Sequence, residues 1–131
     1  MHYDISQPNQ YILFQDTNND IDDLGYIVYD DGEEIGNPII IDPRFTMVDI
    51  CGTSMGGSRN CVNDVENDGA DASGFPNFVS VAFARPDFDA VMHGDGIGRL
   101  SSAEIIFSAG EGPSDITRTV LITNSGQITV E

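Results

Sequence analysis

An oxygen-bearing side chain occupies every second position of one acidic segment of the chain. These residues are Asp16, Asn18, Asp20 and Asp22. In a tight loop this alternation directs several oxygens toward one hard cation, as in the first half of an EF-hand loop. An EF-hand itself is excluded, because Ile21 stands where that loop needs glycine and Ile27 stands where it needs glutamate. The spacing therefore predicts a cation site of another kind.

Further ligands for this site would come from the acidic residues that follow it, Asp30, Asp31, Glu33 or Glu34, and of these we assign Glu33 and Glu34 to the site. Ca²⁺ is preferred over Mg²⁺, because an irregular loop tolerates a large and flexible coordination shell better than a strict octahedron. The alternative is a solvated acidic turn in a protein whose carboxylates mainly keep its copies apart.

Cys51 and Cys61 are separated by small and polar residues, so the intervening chain can fold back on itself. We predict a disulfide between them, which would close a loop of ~11 residues and contribute roughly 3 kcal/mol by the loop-entropy model. A disulfide implies an oxidising compartment. Two thiols without a second pair of ligands do not make a zinc site. The alternative is a pair of free thiols in a cytosolic protein.

The length of 131 residues fits one domain, which we assign to residues 1–131. The 22 acidic residues outnumber the 5 basic ones and give a formal charge of −17. Nucleic acid is excluded as a partner, because its binding needs a basic stripe. No apolar run reaches the ~18 residues of a membrane span.

Residue types suited to catalysis do not combine into a catalytic pattern. Ser54 and Ser58 lack the surroundings of a nucleophile elbow, and His2 and His93 are isolated in the sequence. A carboxylate hydrolase would need a cleft with two carboxylates at catalytic spacing. We therefore expect a protein that is not an enzyme.

Short apolar runs rich in β-branched and aromatic residues predict β-strands. The runs cover residues 11–14, 26–29, 38–41, 45–50, 78–84, 88–92, 103–108, 118–123 and 127–130. No segment shows a long helical period. The fold class is predicted to be all-β, with two packed antiparallel sheets and a long surface loop from Gly52 to Pro76.

The last two runs flank a turn signal, Asn124-Ser125-Gly126, and are predicted to form a hairpin. Alternation along this hairpin places four apolar residues on one face, which we expect to be core. They are Val120, Ile122, Ile128 and Val130.

Three groups of residues follow one another in a recognisable order along most of the chain. The first group is a motif of aromatic and acidic residues, and the second is an Arg-Pro pair that follows a predicted strand. The last group is a hairpin of two strands joined by a Ser-Gly turn. They are Tyr11, Phe14, Asp16, Asn18, Asp20, Asp30, Glu33 and Glu34; Phe83, Arg85 and Pro86; and Val120, Ile122, Ser125, Gly126, Ile128 and Val130. This order resembles the head domain of bacterial type IV pilin-like proteins, above all minor pilins and the pseudopilins of type II secretion systems.

The resemblance implies a non-catalytic filament subunit whose partners are other pilin or pseudopilin subunits. Such proteins begin with a leader and a long hydrophobic helix, which gives a β-rich α+β fold in the full-length protein. That helix is their only contact with the membrane. It anchors them in the inner membrane before assembly places the head at the cell surface or outside the cell. Residues 1–131 would then start just after the helix, with Met1 as an added start.

A head without its helix is expected to self-associate through an exposed apolar sheet face. The expected face draws on Tyr11, Leu13, Ile27, Tyr29, Ile40, Val79, Val81 and Phe83. The alternative function is that of a free-standing secreted β-sandwich that binds calcium together with a protein or a carbohydrate.

Overall fold

A computed structural model describes residues 1–15, 29–63, 77–83, 89–94, 97–110 and 116–131. The strands in this part of the chain are β1 (His2–Asp4), β2 (Gln10–Tyr11), β3 (Ile39–Ile40), β4 (Thr46–Ser54), β5 (Arg59–Cys61), β6 (Phe78–Phe83), β7 (Ala90–Gly94), β8 (Gly98–Ala109), β9 (Ile116–Thr123) and β10 (Ile128–Val130). All pair antiparallel, in one eight-stranded and one two-stranded sheet. The predicted all-β class with two antiparallel sheets is confirmed. The described residues include no helix that is long and apolar enough to cross a membrane.

Strand β8 is the centre of the large sheet, which runs in the order β1-β6-β7-β8-β4-β5. Its pairing with β4 runs from Leu100 to Ser108 along one edge. On its other edge, residues 98–100 pair with β7 and residues 102–109 pair with β9. Strand β10 follows β9 and pairs only with it within the described part of the sheet. One long strand therefore joins two branches of the sheet.

The two-stranded sheet, β2 with β3, is attached to the large sheet through main-chain hydrogen bonds. His2 and Ile12 exchange N–H···O bonds of 2.8 and 3.0 Å, so the chain beyond β2 runs beside β1. The Met47 N–H donates to the Pro8 carbonyl at 2.9 Å, which ties the turn before β2 to β4. These bonds hold residues 8–12 in place between β1 and β4.

Alternating side chains of the long strands form one hydrophobic core on one face of the large sheet. Its buried members are Tyr3, Met47, Ile50, Val79, Val81, Ala90, Met92, Leu100, Ala103, Ile105 and Ile122. The alternation breaks at Val48, where a bulge leaves one extra residue on β4. The bulge keeps both Met47 and Ile50 buried although they are three residues apart.

The loop predicted from Gly52 to Pro76 is wrong in its first part. Residues 52–54 belong to β4, and residues 59–61 form β5, which returns beside it as a hairpin. Gly52 is buried, and a Cβ at this position would lie 2.9 Å from the Leu100 side chain. Its glycine therefore allows close packing inside a strand, although composition alone suggested a loop residue. The rest of the predicted loop, residues 64–76, lies outside the described part.

The terminal hairpin forms as predicted, with Gly126 at a φ of 79° in the turn, but only part of its predicted core is buried. Ile122 is 1% exposed, whereas its partner across the hairpin, Ile128, is 48% exposed and Val130 is 68% exposed. Val120 is partly buried against the core. The reason is position, because β10 is the outer strand of its branch and lies one strand further from the core than β9.

The apolar face expected to be open is also corrected. Val79 and Val81 are fully buried in the core, because β6 lies between β1 and β7 and not at an edge. Ile40 and Phe83 are exposed, while Tyr11, Leu13 and Tyr29 are partly buried. The remaining member of that set, Ile27, lies outside the described residues. Among the described residues, the large apolar side chains left exposed are therefore scattered over turns, strand ends, the β4 bulge and β10.

Candidate functional site

The four residues on which the calcium prediction depends lie outside the described residues. They are Asp16, Asn18, Asp20 and Asp22. The other two candidates, Glu33 and Glu34, are described and sit at a turn that begins at Asp30. Glu33 is buried, and one of its carboxylate oxygens accepts the Asp30 N–H at 3.2 Å.

Glu34 is exposed, and its carboxylate has partners within the same turn. It accepts the Tyr29 O–H through one oxygen and the Gly32 N–H at 3.0 Å through the other. The hydrogen bond from Tyr29 lowers the pKa of Glu34. Burial, followed by the hydrogen bond to Glu34, raises the pKa of Tyr29. Both carboxylates therefore stabilise the turn by accepting hydrogen bonds, and Glu34 remains anionic at neutral pH.

Cys51 and Cys61 form a disulfide that links β4 directly to β5. They are paired across the two strands, with their Cα atoms 4.0 Å apart, and both are buried. Among the described residues, the one group of three potential metal-ligand atoms combines these cysteines with Asp49. Both of its sulfurs are used in the disulfide, and an Asp49 oxygen accepts two main-chain N–H groups at 2.8 and 2.9 Å. This group is therefore structural.

A serine and a histidine from distant parts of the chain meet on the face of the sheet opposite to the core. Strand pairing sets His2 beside Ser80, and the His2 Nδ1 and Ser80 Oγ atoms are 2.9 Å apart. Such a contact also occurs between a nucleophile and its base. Ser80 is fully buried, however, so its hydroxyl cannot reach a substrate. Burial lowers the pKa of His2, and the nearby Asp4 opposes this shift.

A cleft of about 160 Å³ opens beside β1, between this strand, the β2 region and the Tyr29 turn. Its lining residues are His2, Asp4, Gln7, Gln10, Tyr11, Ile12, Tyr29 and Asp31. Two carboxylates, two amides and three aromatic rings thus surround one concavity. The described residues of the wall include no lysine or arginine. The cleft combines aromatic surface with negative charge.

The aromatic walls of this cleft are held in place by ring packing. The Tyr29 ring lies 4.5 Å from the His2 ring and 5.6 Å from Phe14, measured between centroids. The Tyr11 ring stacks on Tyr3 at 5.4 Å. Because each ring has a fixed neighbour, the shape of the cleft is set before any ligand arrives.

Sequence reasoning identified neither the Ser80–His2 pair nor the cleft. The two residues of the pair are 78 positions apart, and only the strand register brings them together. Besides β1, the walls of the cleft come from residues 7–12 and 29–31, and the sequence of these two segments contains no recognisable motif. Among the described residues, the sequence had indicated Cys51 and Cys61 as a disulfide and Glu33 and Glu34 as cation ligands, but it gave no signal for the cleft.

Comparison of the chain with models of protein families, with curated proteins and with solved structures finds no match.

Proposed function

We propose that this domain is a non-catalytic structural subunit, the head of a minor pilin or pseudopilin in a type IV pilus or a type II secretion-like filament. The observation that supports this most is the apolar face of the β9–β10 hairpin. Ile128 and Val130 extend the core face of the sheet to an outer strand, where both side chains are largely exposed. Apolar side chains in such a position favour a contact with another element or subunit.

The outer edge of β10 offers hydrogen bonds as well as apolar surface. Glu131 and Thr119 exchange N–H···O bonds of 2.9 and 3.0 Å across the hairpin. In antiparallel pairing these bonded pairs alternate with unbonded ones, so the main-chain groups of Ile128 and Val130 face away from β9. A strand with this exposure can accept a neighbouring strand or be covered by a helix.

Within the described residues, the non-catalytic part of this proposal is supported by the burial of the Ser80 hydroxyl next to His2. A location outside the cytoplasm is supported by the Cys51–Cys61 disulfide, because such bonds persist mainly in oxidising compartments. The resemblance of the chain's motifs to pilin-like heads supplies the type of assembly. In these heads a long helix packs against the sheet, and the open hairpin face is where it would pack.

Sedimentation velocity at low and high NaCl tests the role of this face. We expect weak self-association that strengthens with salt, because screening reduces the repulsion of a −17 protein and leaves apolar burial intact. The Ile128→Thr/Val130→Thr double variant should stay monomeric. A matched control, Ile35→Thr/Ile40→Thr, removes two equally exposed isoleucines elsewhere and should associate as the parent does. Equal association of both variants would contradict the proposal.

The sequence that the natural gene encodes upstream of Met1 distinguishes the pilin-like head from the alternative, a free-standing secreted β-sandwich. The proposal predicts a leader and ~20 apolar residues encoded before Met1. If such a helix is encoded, a chain that includes it should unfold at a higher temperature than residues 1–131, because the helix would cover Ile128 and Val130. If the gene begins with a cleavable signal peptide alone, the secreted β-sandwich becomes the better assignment.

A further inference from the structure

We propose that the cleft beside β1 binds an organic cation of the guanidinium type, the group that an arginine side chain presents. The cleft is the concavity lined by Asp4, Tyr11, Tyr29 and Asp31 together with His2 and two glutamines. The inference stands on this geometry and does not rest on the proposed filament function.

The size of the cleft selects a small planar group. Its volume of about 160 Å³ is close to that of an engineered protein cavity of ~150 Å³ that holds one benzene ring. A guanidinium group with part of its stem fits this space, whereas an oligosaccharide or an extended peptide does not. The ligand is therefore the end of a side chain or a compact molecule.

The polar groups of the wall select a ligand that donates hydrogen bonds. Tyr29 uses its hydroxyl proton in the hydrogen bond to Glu34, so toward a ligand its oxygen can act only as an acceptor. Asp4 uses one oxygen to accept the Ser6 N–H at 2.8 Å, and its carboxylate keeps further acceptor capacity. Asp31 is exposed at the rim. A planar guanidinium, with five N–H donors and no acceptor, matches such a set.

The aromatic walls and the charge of the domain favour a cation over a neutral donor. A guanidinium near a tyrosine face gains cation–π attraction, and Tyr11 and Tyr29 each supply a face fixed by a neighbouring ring. The net charge of −17 raises the local concentration of cations around the domain. Burial keeps the pKa of His2 below its ordinary value, so the imidazole is neutral and does not repel the ligand at neutral pH.

A titration followed by ¹⁵N–¹H NMR tests the proposal with three capped probes. N-acetyl-arginine amide should shift the amides of Asp4, Tyr11 and Asp31 with one saturable Kd. N-acetyl-citrulline amide, which has the same shape without charge, should bind at least about fivefold more weakly. Methyl glucoside should produce no saturable shift of these amides. Binding of citrulline as tight as that of arginine, or saturable binding of the sugar, would overturn the assignment of a cation.

Two charge-matched variants separate the cleft from general electrostatics. Asp31→Asn removes an exposed carboxylate of the cleft and should weaken arginine-amide binding about three- to fivefold. Asp89→Asn removes an exposed carboxylate that does not line the cleft and should leave the Kd within about twofold. Both variants should keep the parent spectrum elsewhere. Equal weakening by both would show that the probe only follows the overall charge.

The source of the cation is decided by comparing free arginine with the peptide Gly-Gly-Arg-Gly-Gly, capped at both ends. Tighter binding of the peptide identifies a partner protein that inserts an arginine. Tighter binding of the free amino acid identifies a small-molecule ligand. Failure of both to shift the cleft residues would overturn the proposal while leaving the hairpin experiment unaffected.

Discussion

Carboxylates on alternate residues of one turn repel each other, and a divalent ion would relieve that repulsion. This is the physical basis of the calcium prediction for Asp16, Asp20 and their neighbours. We expect millimolar Ca²⁺ to raise the melting temperature relative to EDTA, since a ligand at 100 times its Kd stabilises the folded state by about 2.7 kcal/mol. Differential scanning fluorimetry in the two buffers measures the shift, and Asp20→Asn should remove most of it.

Two controls keep the calcium measurement specific to this segment. Sodium chloride at the same ionic strength corrects for general screening, which an acidic protein will show. Asp89→Asn makes the same change of charge at an exposed site elsewhere and should retain the full response. If the parent melts at the same temperature in Ca²⁺ and in EDTA, the calcium prediction is wrong and the alternative of a solvated acidic segment is favoured.

His2 should make the stability of the domain sensitive to mild acid. Burial lowers its pKa in the folded state, so the unfolded chain binds the extra proton first as the pH falls. The stability that depends on neutral His2 is therefore fully present above the pKa of His2 in the unfolded chain, about 6.5. It is lost as the pH falls from there toward the lower pKa of His2 in the folded state. Urea unfolding between pH 7.5 and pH 5 should show this decrease.

The variant His2→Asn isolates this effect from the titration of the many carboxylates. Its amide can still contact the Ser80 hydroxyl, but it does not titrate. The decrease in the free energy of unfolding between pH 7.5 and pH 5 should be smaller in the variant than in the parent. Parallel pH profiles for the two proteins would show that His2 is equally easy to protonate in both states.

At the scale of single elements, the terminal hairpin offers a comparison between two isoleucines that face each other. Ile122 is 1% exposed on β9 and Ile128 is 48% exposed on β10. Truncation to alanine at residue 122 should cost roughly 2–5 kcal/mol, because it leaves a cavity in the core. The same change at residue 128 should cost less than about 1 kcal/mol. Urea unfolding midpoints give both values, and similar costs would mean that β10 is covered in solution.

The β4–β5 hairpin should depend on its disulfide. Replacing Cys51 and Cys61 together by alanine should lower the free energy of unfolding by roughly 2–4 kcal/mol, mainly because the unfolded chain regains freedom. The oxidised parent is the reference in the same urea series. Because both cysteines are buried, the parent should also react with thiol reagents only after reduction and unfolding. Labelling of the native, unreduced protein would refute the disulfide.

Strands were predictable where side chains alternate over several residues, and not where pairing alone defines them. The run from Phe78 to Phe83 alternates clearly and forms β6. Strands β1 and β5, with the sequences HYD and RNC, have three residues each and no apolar period, so they were missed. The strand predicted over residues 11–14 forms only in part: Tyr11 belongs to β2, and Ile12 and Phe14 make isolated bridges.

At the scale of the whole molecule, the acidic charge should weaken the folded state at low ionic strength. A formal charge of −17 on a chain of 131 residues concentrates repulsion when the chain is compact. Raising NaCl from 20 to 500 mM should therefore raise the melting temperature by a few degrees, since about 1 kcal/mol corresponds to roughly 4 °C for a domain of this size. A melting temperature that does not change with salt would show that the carboxylates are already neutralised by local partners.

The order of strands in the sheet could not be derived from composition or periodicity. Alternation indicates which residues of β8 face the core, but it does not reveal that β7 and β9 share one of its edges. The cleft depends on this long-range order, because β1 brings His2 and Asp4 to walls built from residues 7–12 and 29–31. Its location therefore required the tertiary structure.

The pairing of β1 with β6 has a consequence for biosynthesis. Ser80 leaves the ribosome 78 residues after its partner His2. At ~5–20 residues per second, β1 waits roughly 4–16 s for the strand that completes it. During that interval Tyr3 cannot pack against Val79 and Val81, so the core of the large sheet closes only after β6 has been synthesised.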